Sequence, residues 1–428
     1  MTNKETMNFE RVIGFDSHPD SFTAAVMRGQ TPAQAVSEKV FNKVPMSQLQ
    51  SWARKQTTAE DLIVLEASGN SFQVVRSLAS VQRRALVLES AQLGKLKEAH
   101  ANNDRISAVR IAKAYLAGTA KTVWVPDLKT QERRDWFHIY KKATRRTTQM
   151  RNRLLSYLSD NGVRLQKGTR LSDGKVAPEQ LRKAKEWSAR QWQVIEGMLM
   201  ELGHAEQQRK HWRSLIAQEV ASDPELLALV RLCGIRDLVA FALGALIGDI
   251  KRFAHPGSLV KYIGLNPAFD DSGAGEWSGG IGGHGRKDLR SLLIESAQAI
   301  LRSRQPLAHW GKKLWARKGS VNLAAAAVAR RLAVAVWYLL MGQWTPLEEI
   351  DERLSFKVGR IISQVGPAGL KSLGKTRQSL REQIQELLQS RNALLLGGTV
   401  YTTGHDAKLV PGLRAPVGSS LAHEYGLR

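Results

Sequence analysis

The sequence predicts an α/β domain followed by mainly α-helical structure, and three observations carry that reading. Phe9 to Asp16 (FERVIGFD) and Asp61 to Glu66 (DLIVLE) are apolar runs that each deliver a carboxylate at the C-terminal end. Around them strand-like runs alternate with helical patterns, as in a sheet with parallel pairs. From about residue 126 onward, three-four spacings typical of helices take over.

In order, Ser21 to Met27 reads as a second strand, Lys39 to Lys43 as a possible third, Ser71 to Arg83 as a helix and Ala85 to Leu88 as another strand. Asp104 opens a helix whose expected apolar face is Val109, Ala112, Tyr115 and Leu116. Loops cluster at one edge of such a sheet, so Asp16, Glu66 and Asp104 can converge there. Taken singly, Asp16 ends a strand and Asp104 caps a helix. Taken together, three carboxylates repel unless a divalent cation sits between them, and Mg²⁺ prefers such oxygens with water and phosphate. The metal site is the better reading of the three.

Between Lys129 and Arg153, nine basic residues stand against two acidic ones on a helical pattern. So large an excess of one sign points to phosphate contacts rather than a merely solvated face. The candidates are Arg133, Arg134, Lys141, Lys142, Arg145, Arg146, Arg151 and Arg153. A polar loop, Gln166 to Lys175, precedes a second long helix expected from Pro178 to Val220. Its seam is Leu181, Ala184, Ser188, Gln191, Ile195, Met198, Leu202, Ala205, Arg209 and Trp212. With the preceding helix it makes either an antiparallel coiled-coil hairpin or an ordinary helix pair.

From Asp223 the chain reads as helix, glycine turn and helix, punctuated by Gly234 and Gly248. Tyr262 to Arg290 then sets Ser272 between Asp270-Asp271 and Gly273, followed by a glycine-rich turn and by Arg286, Lys287 and Arg290. A small hydroxyl beside backbone N–H groups and cations is a candidate nucleophile towards a phosphodiester; the alternative is a plain surface turn. Gly280, Gly282 and Gly285 spell a dinucleotide fingerprint, but Asp271 to Trp277 does not read as the strand that context requires. Arg286 and Lys287 after Gly285 exclude a P-loop. Helices are expected over Leu289 to Ser303 and Val321 to Met341. Arg330 and Arg331 interrupt the latter's apolar run, which reads as a buried helix rather than a membrane span. A helical extension follows Thr345, with a seam in Leu380, Ile384 and Leu387, and the tail after Leu395 is expected to be disordered without a partner.

With 43% hydrophobic and 24% charged residues over 428 positions, disorder is not the default, and two or three domains fit the length. Lys and Arg outnumber Asp and Glu by 63 to 39, and a net charge of +24 points to a polyanion, nucleic acid foremost. Cys233 is the single cysteine, which excludes an intrachain disulfide or a cysteine-rich zinc site. That suits a reducing cytoplasm, and the N-terminus has no signal-peptide core. A soluble intracellular protein is expected.

In this order and spacing, the motifs resemble the bridge-RNA-guided DEDD transposases of bacterial insertion sequences, relatives of the Piv-type DNA invertases. VIGFD, VLEASGN and NNDRISA are similar to that family's first three acid motifs, matching Asp16, Glu66 and Asp104. The Tyr262 to Arg290 stretch resembles its serine motif, matching Ser272. The resemblance implies a RuvC-like ribonuclease-H fold over 9–125, a basic coiled-coil region over 126–222, a helical transposase domain with the catalytic serine over 223–345 and a helical extension over 346–428. It implies Mg²⁺ held by Asp16, Glu66 and Asp104, attack by Ser272 to give a covalent phosphoserine, and help from Arg286, Lys287 or Arg290. It also implies donor and target DNA, a noncoding guide RNA, a dimer-of-dimers tetramer with active sites shared between chains, and a place on the bacterial nucleoid. Two departures stand out. Ser107 occupies the fourth acid position, and the family's Gly-Ile-Gly turn is here Gly234-Ile235-Arg236. A hydrolytic RuvC-like junction nuclease and a non-catalytic nucleic-acid-binding protein are the rival readings.

Overall fold

The apolar runs that end in Asp16 and Glu66 lie side by side as the two central strands of a six-stranded sheet. The computed structural model describes residues 9–94, 103–165, 171, 176–271, 276–282, 284–342 and 353–395. Its first compact unit ends at Asp127 and its second begins at Leu128.

The first unit runs β1 (Val12–Ser17), β2 (Ser21–Arg28), β3 (Val36–Pro45), α1 (Leu49–Gln56), β4 (Leu62–Glu66), α2 (Ser71–Ala79), β5 (Arg84–Leu88), α3 (Ser90–Gly94), α4 (Asp104–Leu116) and β6 (Thr122–Val123). Strand order is β3-β2-β1-β4-β5-β6, with β1, β4 and β5 parallel and the remaining pairs antiparallel. β1 and β4 are unbroken apolar runs because both of their faces are covered. Ile13, Phe15, Ile63 and Leu65 pack with Phe22, Trp52, Val74 and Leu78 on the face covered by α1 and α2. Val12, Leu62 and Val64 pack with Ala108, Ile111 and Ala112 of α4 on the other.

The face that α4 turns to the sheet differs from the expected one. Ala108, Ile111, Ala112 and Ala114 are its buried residues, whereas Val109, Tyr115 and Leu116 are only partly covered. Short alanines let the helix backbone come down onto Gly14, where an added Cβ would lie 1.8 Å from the Ala108 carbonyl oxygen. The bulky positions therefore sit at the flanks of the contact. At the opposite edge of the sheet Arg11 donates to both oxygens of the buried Asp61, at 2.9 and 2.7 Å, and closes the end away from Glu66.

The second unit opens with a helical hairpin. α5 (Leu128–Asp160) is followed by α6 (Val176–Ala184) and α7 (Ala189–Ser222). The single helix expected from Pro178 to Val220 is broken, because Ser188 and Gln191 form a reciprocal capping box that starts α7 afresh. Ser188 is thus a cap rather than a seam residue, while Leu181, Ile195, Leu202 and Ala205 are buried as that seam requires. Leu154 and Leu158 pack with Ile195 and Leu202, and Phe137 and Tyr140 with Ile216 and Val220, so α5 and α7 run antiparallel.

Beyond them lie α8 (Pro224–Val230), α9 (Asp237–Ile247), α10 (Pro256–Ile263), β7 (Pro267–Asp271), β8 (Glu276–Ile281), α11 (Lys287–Leu301), α12 (Pro306–Lys318), α13 (Val321–Leu340), α14 (Leu354–Ser372) and α15 (Arg377–Leu395). β7 and β8 form an antiparallel hairpin, which corrects the reading of the approach to Trp277 as non-strand. The sequence of β8, EWSGGI, has too little apolar alternation to announce a strand. α13 is long and apolar enough by length and composition to cross a membrane, but Val328, Leu332, Val336 and their neighbours are in the core of this unit. α14 and α15 are part of the same core through Val358, Ile361, Ile362, Leu380 and Ile384. The buried Lys357 donates to the carbonyls of Val230 and Leu232, each at 2.7 Å, at the end of α8. Ser272, Thr345, the tail after Leu395 and, Leu171 apart, the polar loop from Gln166 to Lys175 lie outside the described residues.

Gly14→Ala is expected to lower stability by roughly 1–3 kcal/mol, as an overpacked contact does. Gly197→Ala, in α7 with open space around its Cβ position, is expected to raise it by roughly 0.5–1 kcal/mol. Urea unfolding of the full chain measures both.

Candidate functional site

Asp16 is the penultimate residue of β1 and Glu66 the last of β4. The parallel register pairs Phe15 with Leu65, and one further step sets Asp16 beside Glu66 at the C-terminal edge. Alternation along a strand places both on the face that carries Gly14 and Val64, the face covered by α4. α4 itself begins at Asp104. The helix is capped by Asn103, whose Oδ1 accepts from the Ile106 N–H at 2.9 Å, so Asp104 is not the cap.

The fold thereby brings Asp16 and Asp104 together and adds His18. One ligand atom from each of the three lies within 4.8 Å of the others. His18 Nε2 is 3.6 Å from Asp104 Oδ1. Glu66, at the adjoining strand end, stands outside this trio. Two carboxylates and an imidazole on one face suit a divalent cation by their donor chemistry. Ser107, three residues after Asp104, is one turn along α4 and half-buried. The strand ends are pinned from below. Ser17 Oγ lies 3.2 Å from both Ser68 Oγ and Asn70 Oδ1, and Asn70 Nδ2 donates to the His18 carbonyl at 2.9 Å. Sequence reasoning missed His18, although the two-residue spacing from Asp16 at a strand end is a signal for a shared face.

Ser272 lies in the connection between β7 and β8, outside the described residues. The basic turn after it is built on two close-passing glycines. At Gly264 (φ +81°) a Cβ would be 2.0 Å from the His284 carbonyl oxygen, and at Gly285 (φ +95°) 2.7 Å from the Gly264 nitrogen. Through that gap the Arg286 N–H reaches the Tyr262 carbonyl at 2.8 Å, and Arg290 Nη1 donates to the His284 carbonyl at 2.8 Å. Arg286 also forms a two-pronged pair with Asp288, at 3.1 and 2.9 Å. Burial works against both charges, but the pairing outweighs it: Arg286 is raised above its ordinary pKa and Asp288 held below its own. Arg286 and Arg290 are thus shaped into the turn, whereas Lys287 at the start of α11 is exposed. An open cleft of about 340 Å³ lined by Ile281, Gly282, Arg290, Ser291, Ile294 and Asn322 adjoins β8.

The cations expected on α5 divide into two groups. Arg133 is paired inside the unit, with Glu219 at 2.6 Å and with Asp223, and Arg134 Nε donates to the Ala245 carbonyl at 2.9 Å. Lys141, Lys142, Arg145, Arg146, Arg151 and Arg153 are exposed. His138 links this face to the basic turn. Burial first, then the charge of Arg286, lowers its pKa, with Asp288 opposing.

Residues 227–310, which include the Ser272 stretch, match the family described as Transposase IS116/IS110/IS902 family. The chain is 26% identical over 247 residues to the transposase for insertion sequence element IS1111A of Coxiella burnetii, covering 57% of this chain and 68% of the relative. It is 30% identical over 129 residues to a probable family 20 transposase of Pseudomonas aeruginosa, covering 29% and 38%, and 22% identical over 236 residues to the putative transposase y4qE of Sinorhizobium fredii, covering 54% and 56%.

The Arg133 pair yields a pH expectation. Burial pushes the Asp223 carboxyl up, but the Arg133 guanidinium and the Leu226 N–H prevail and hold it below its ordinary 3.8. A depressed carboxyl stabilises the fold above its unfolded pKa, and that contribution is lost as pH falls through the folded one. Denaturant midpoints measured from pH 6 to 2 should fall below about pH 4, and more steeply in the parent than in Asp223→Asn. Arg133→Ala at neutral pH is expected to cost roughly 3 kcal/mol, since it strands a buried carboxylate.

Proposed function

We propose that this chain, a relative of the transposases of the IS116/IS110/IS902 family, cuts and rejoins DNA strands to excise and insert an insertion sequence. The observation that carries this reading is that the transposase match, residues 227–310, falls on the stretch holding Ser272 and its basic turn. The convergence of Asp16 and Asp104 at one sheet edge supports it.

Ser272 is the nucleophile. Its Oγ bonds to the scissile phosphorus, the phosphorus–oxygen bond to one deoxyribose breaks, and the departing oxygen takes a proton. The phosphoserine ester conserves the bond energy until a hydroxyl of a second strand attacks the same phosphorus and returns the serine. Asp16, Glu66 and Asp104, in a RuvC-like ribonuclease-H domain, hold the cation. When bound, Mg²⁺ or a similar ion supplies Lewis acidity for a non-bridging phosphate oxygen. Lys287 is placed on its sequence neighbourhood to neutralise phosphate charge, while Arg286 and Arg290 keep the turn in shape. Lys141, Lys142, Arg145, Arg146, Arg151 and Arg153 hold the polymer backbone without reading its sequence. Sequence choice then rests with a noncoding guide RNA that pairs with donor and target DNA, and the working assembly is a tetramer acting in the bacterial cytoplasm.

A suicide DNA substrate tests the serine. The parent chain should form a covalent protein–DNA adduct that survives denaturation, and Ser272→Ala should form none. An undiminished adduct removes Ser272 from the chemistry, and hydrolysed ends without any adduct assign the cut to water.

The basic face has its own readout. Changing Lys141, Lys142, Arg145 and Arg146 together to Gln should flatten the slope of log K against log salt for nonspecific duplex DNA by about 3 to 4, near 0.9 per lost contact. Fluorescence anisotropy over a salt series measures it.

A further inference from the structure

We infer that His18 is a ligand of the cation held by Asp16 and Asp104, and that it tilts the site from Mg²⁺ towards Mn²⁺ and its heavier neighbours. The inference rests on the metal reading proposed above and goes further by giving the site a nitrogen donor.

Three observations lead there. First, the separation of His18 Nε2 from Asp104 Oδ1 is 3.6 Å. A direct hydrogen bond between such groups spans about 2.7–3.2 Å. Two ligands bound at about 2.1 Å to one ion lie between about 3.0 Å apart when adjacent and 4.2 Å when opposite. The observed spacing falls inside the second window and outside the first. Second, the three ligand atoms are mutually close, within 4.8 Å, although they come from β1, from the turn after β1 and from the start of α4. Third, the His18 backbone is fixed. Its N–H donates to the Ser21 carbonyl at 2.9 Å within the β1–β2 turn, and its carbonyl accepts from Asn70 Nδ2 at 2.9 Å. The imidazole is half-exposed, with room to turn its nitrogen onto an ion without moving the strand.

The chemistry of the donors then sets the preference. Mg²⁺ takes oxygen ligands and gives up water reluctantly. Imidazole nitrogen favours ions further along the first transition series. On α4 the position one turn after Asp104 is the neutral Ser107. Charge density that would favour Mg²⁺ is therefore lower on the helix side, while the strand side offers nitrogen.

The test uses the purified full chain with metal alone. Mn²⁺ is titrated and followed by electron paramagnetic resonance and calorimetry, and pulsed spectra of the bound ion are read for coupling to ¹⁴N. The parent should bind Mn²⁺ more tightly than Mg²⁺ and show ¹⁴N coupling. His18→Ala and the bulkier His18→Gln should both lose the coupling, and Mn²⁺ affinity should fall about tenfold or more, the scale on which even outer partners of metal ligands act. Mg²⁺ affinity should change little. Thermal melts of both variants check that the fold persists, and Asp16→Ala should abolish binding of either ion. If the parent binds Mn²⁺ through Asp16 without ¹⁴N coupling, or if coupling persists in both His18 variants, His18 is an ion-pair partner of Asp104 only. The inference then fails while the carboxylate site stands. If the parent binds neither ion, both fall.

Discussion

Contact between the α4 backbone and the bare Cα of Gly14 is the constraint on which the first unit depends. Asp104 sits at the head of a helix, and a helix head is only as well placed as the body behind it. Alanines at 108 and 112 and a glycine beneath them let the α4 axis come closer to the sheet than larger side chains would permit. That depth, together with the parallel register of β1 and β4, sets the acid of the helix level with those of the strands. The chemistry at the edge is thus decided by small residues one to two turns away from it.

The second unit treats positive charge in two different ways. Arg133 and Arg134 have the same sequence environment as Lys141 and Lys142, a basic helix with few acids. Yet the first pair faces α7 and α9 and satisfies carboxylates and carbonyls there, while the second pair faces water. Helical periodicity accounts for the split, since the Phe137 and Tyr140 stripe marks the inward side and residues 133 and 134 lie one turn before it. A run of like charges is therefore no uniform surface.

Much of this was legible in the chain. The strands ending in Asp16 and Glu66, the basic helix and the buried alanine-rich helix all follow from apolar runs, periodicity and a few punctuating residues. What was not legible depended on partners far away in sequence. The inward face of α4 could not be read because Gly14 selects it, and Trp277 did not announce a strand because β7 supplies the hydrogen bonds that its own composition lacks. The break before α7 was local and could have been found, since Ser188 followed three residues later by Gln191 is a start signal. His18 was hidden by its neighbours: a search for acids passes over a histidine two residues along the same strand.

Lys357 places a constraint on how this protein can be shortened. Its ammonium group fills the last-turn acceptors of α8 from a helix more than a hundred residues downstream, in a pocket that water does not reach. A fragment ending at the close of α13 would expose the apolar floor under α14 and leave the Val230 and Leu232 oxygens facing a void. The minimal folded form of the serine-bearing half therefore extends through α14, well past the segment by which its relatives are recognised.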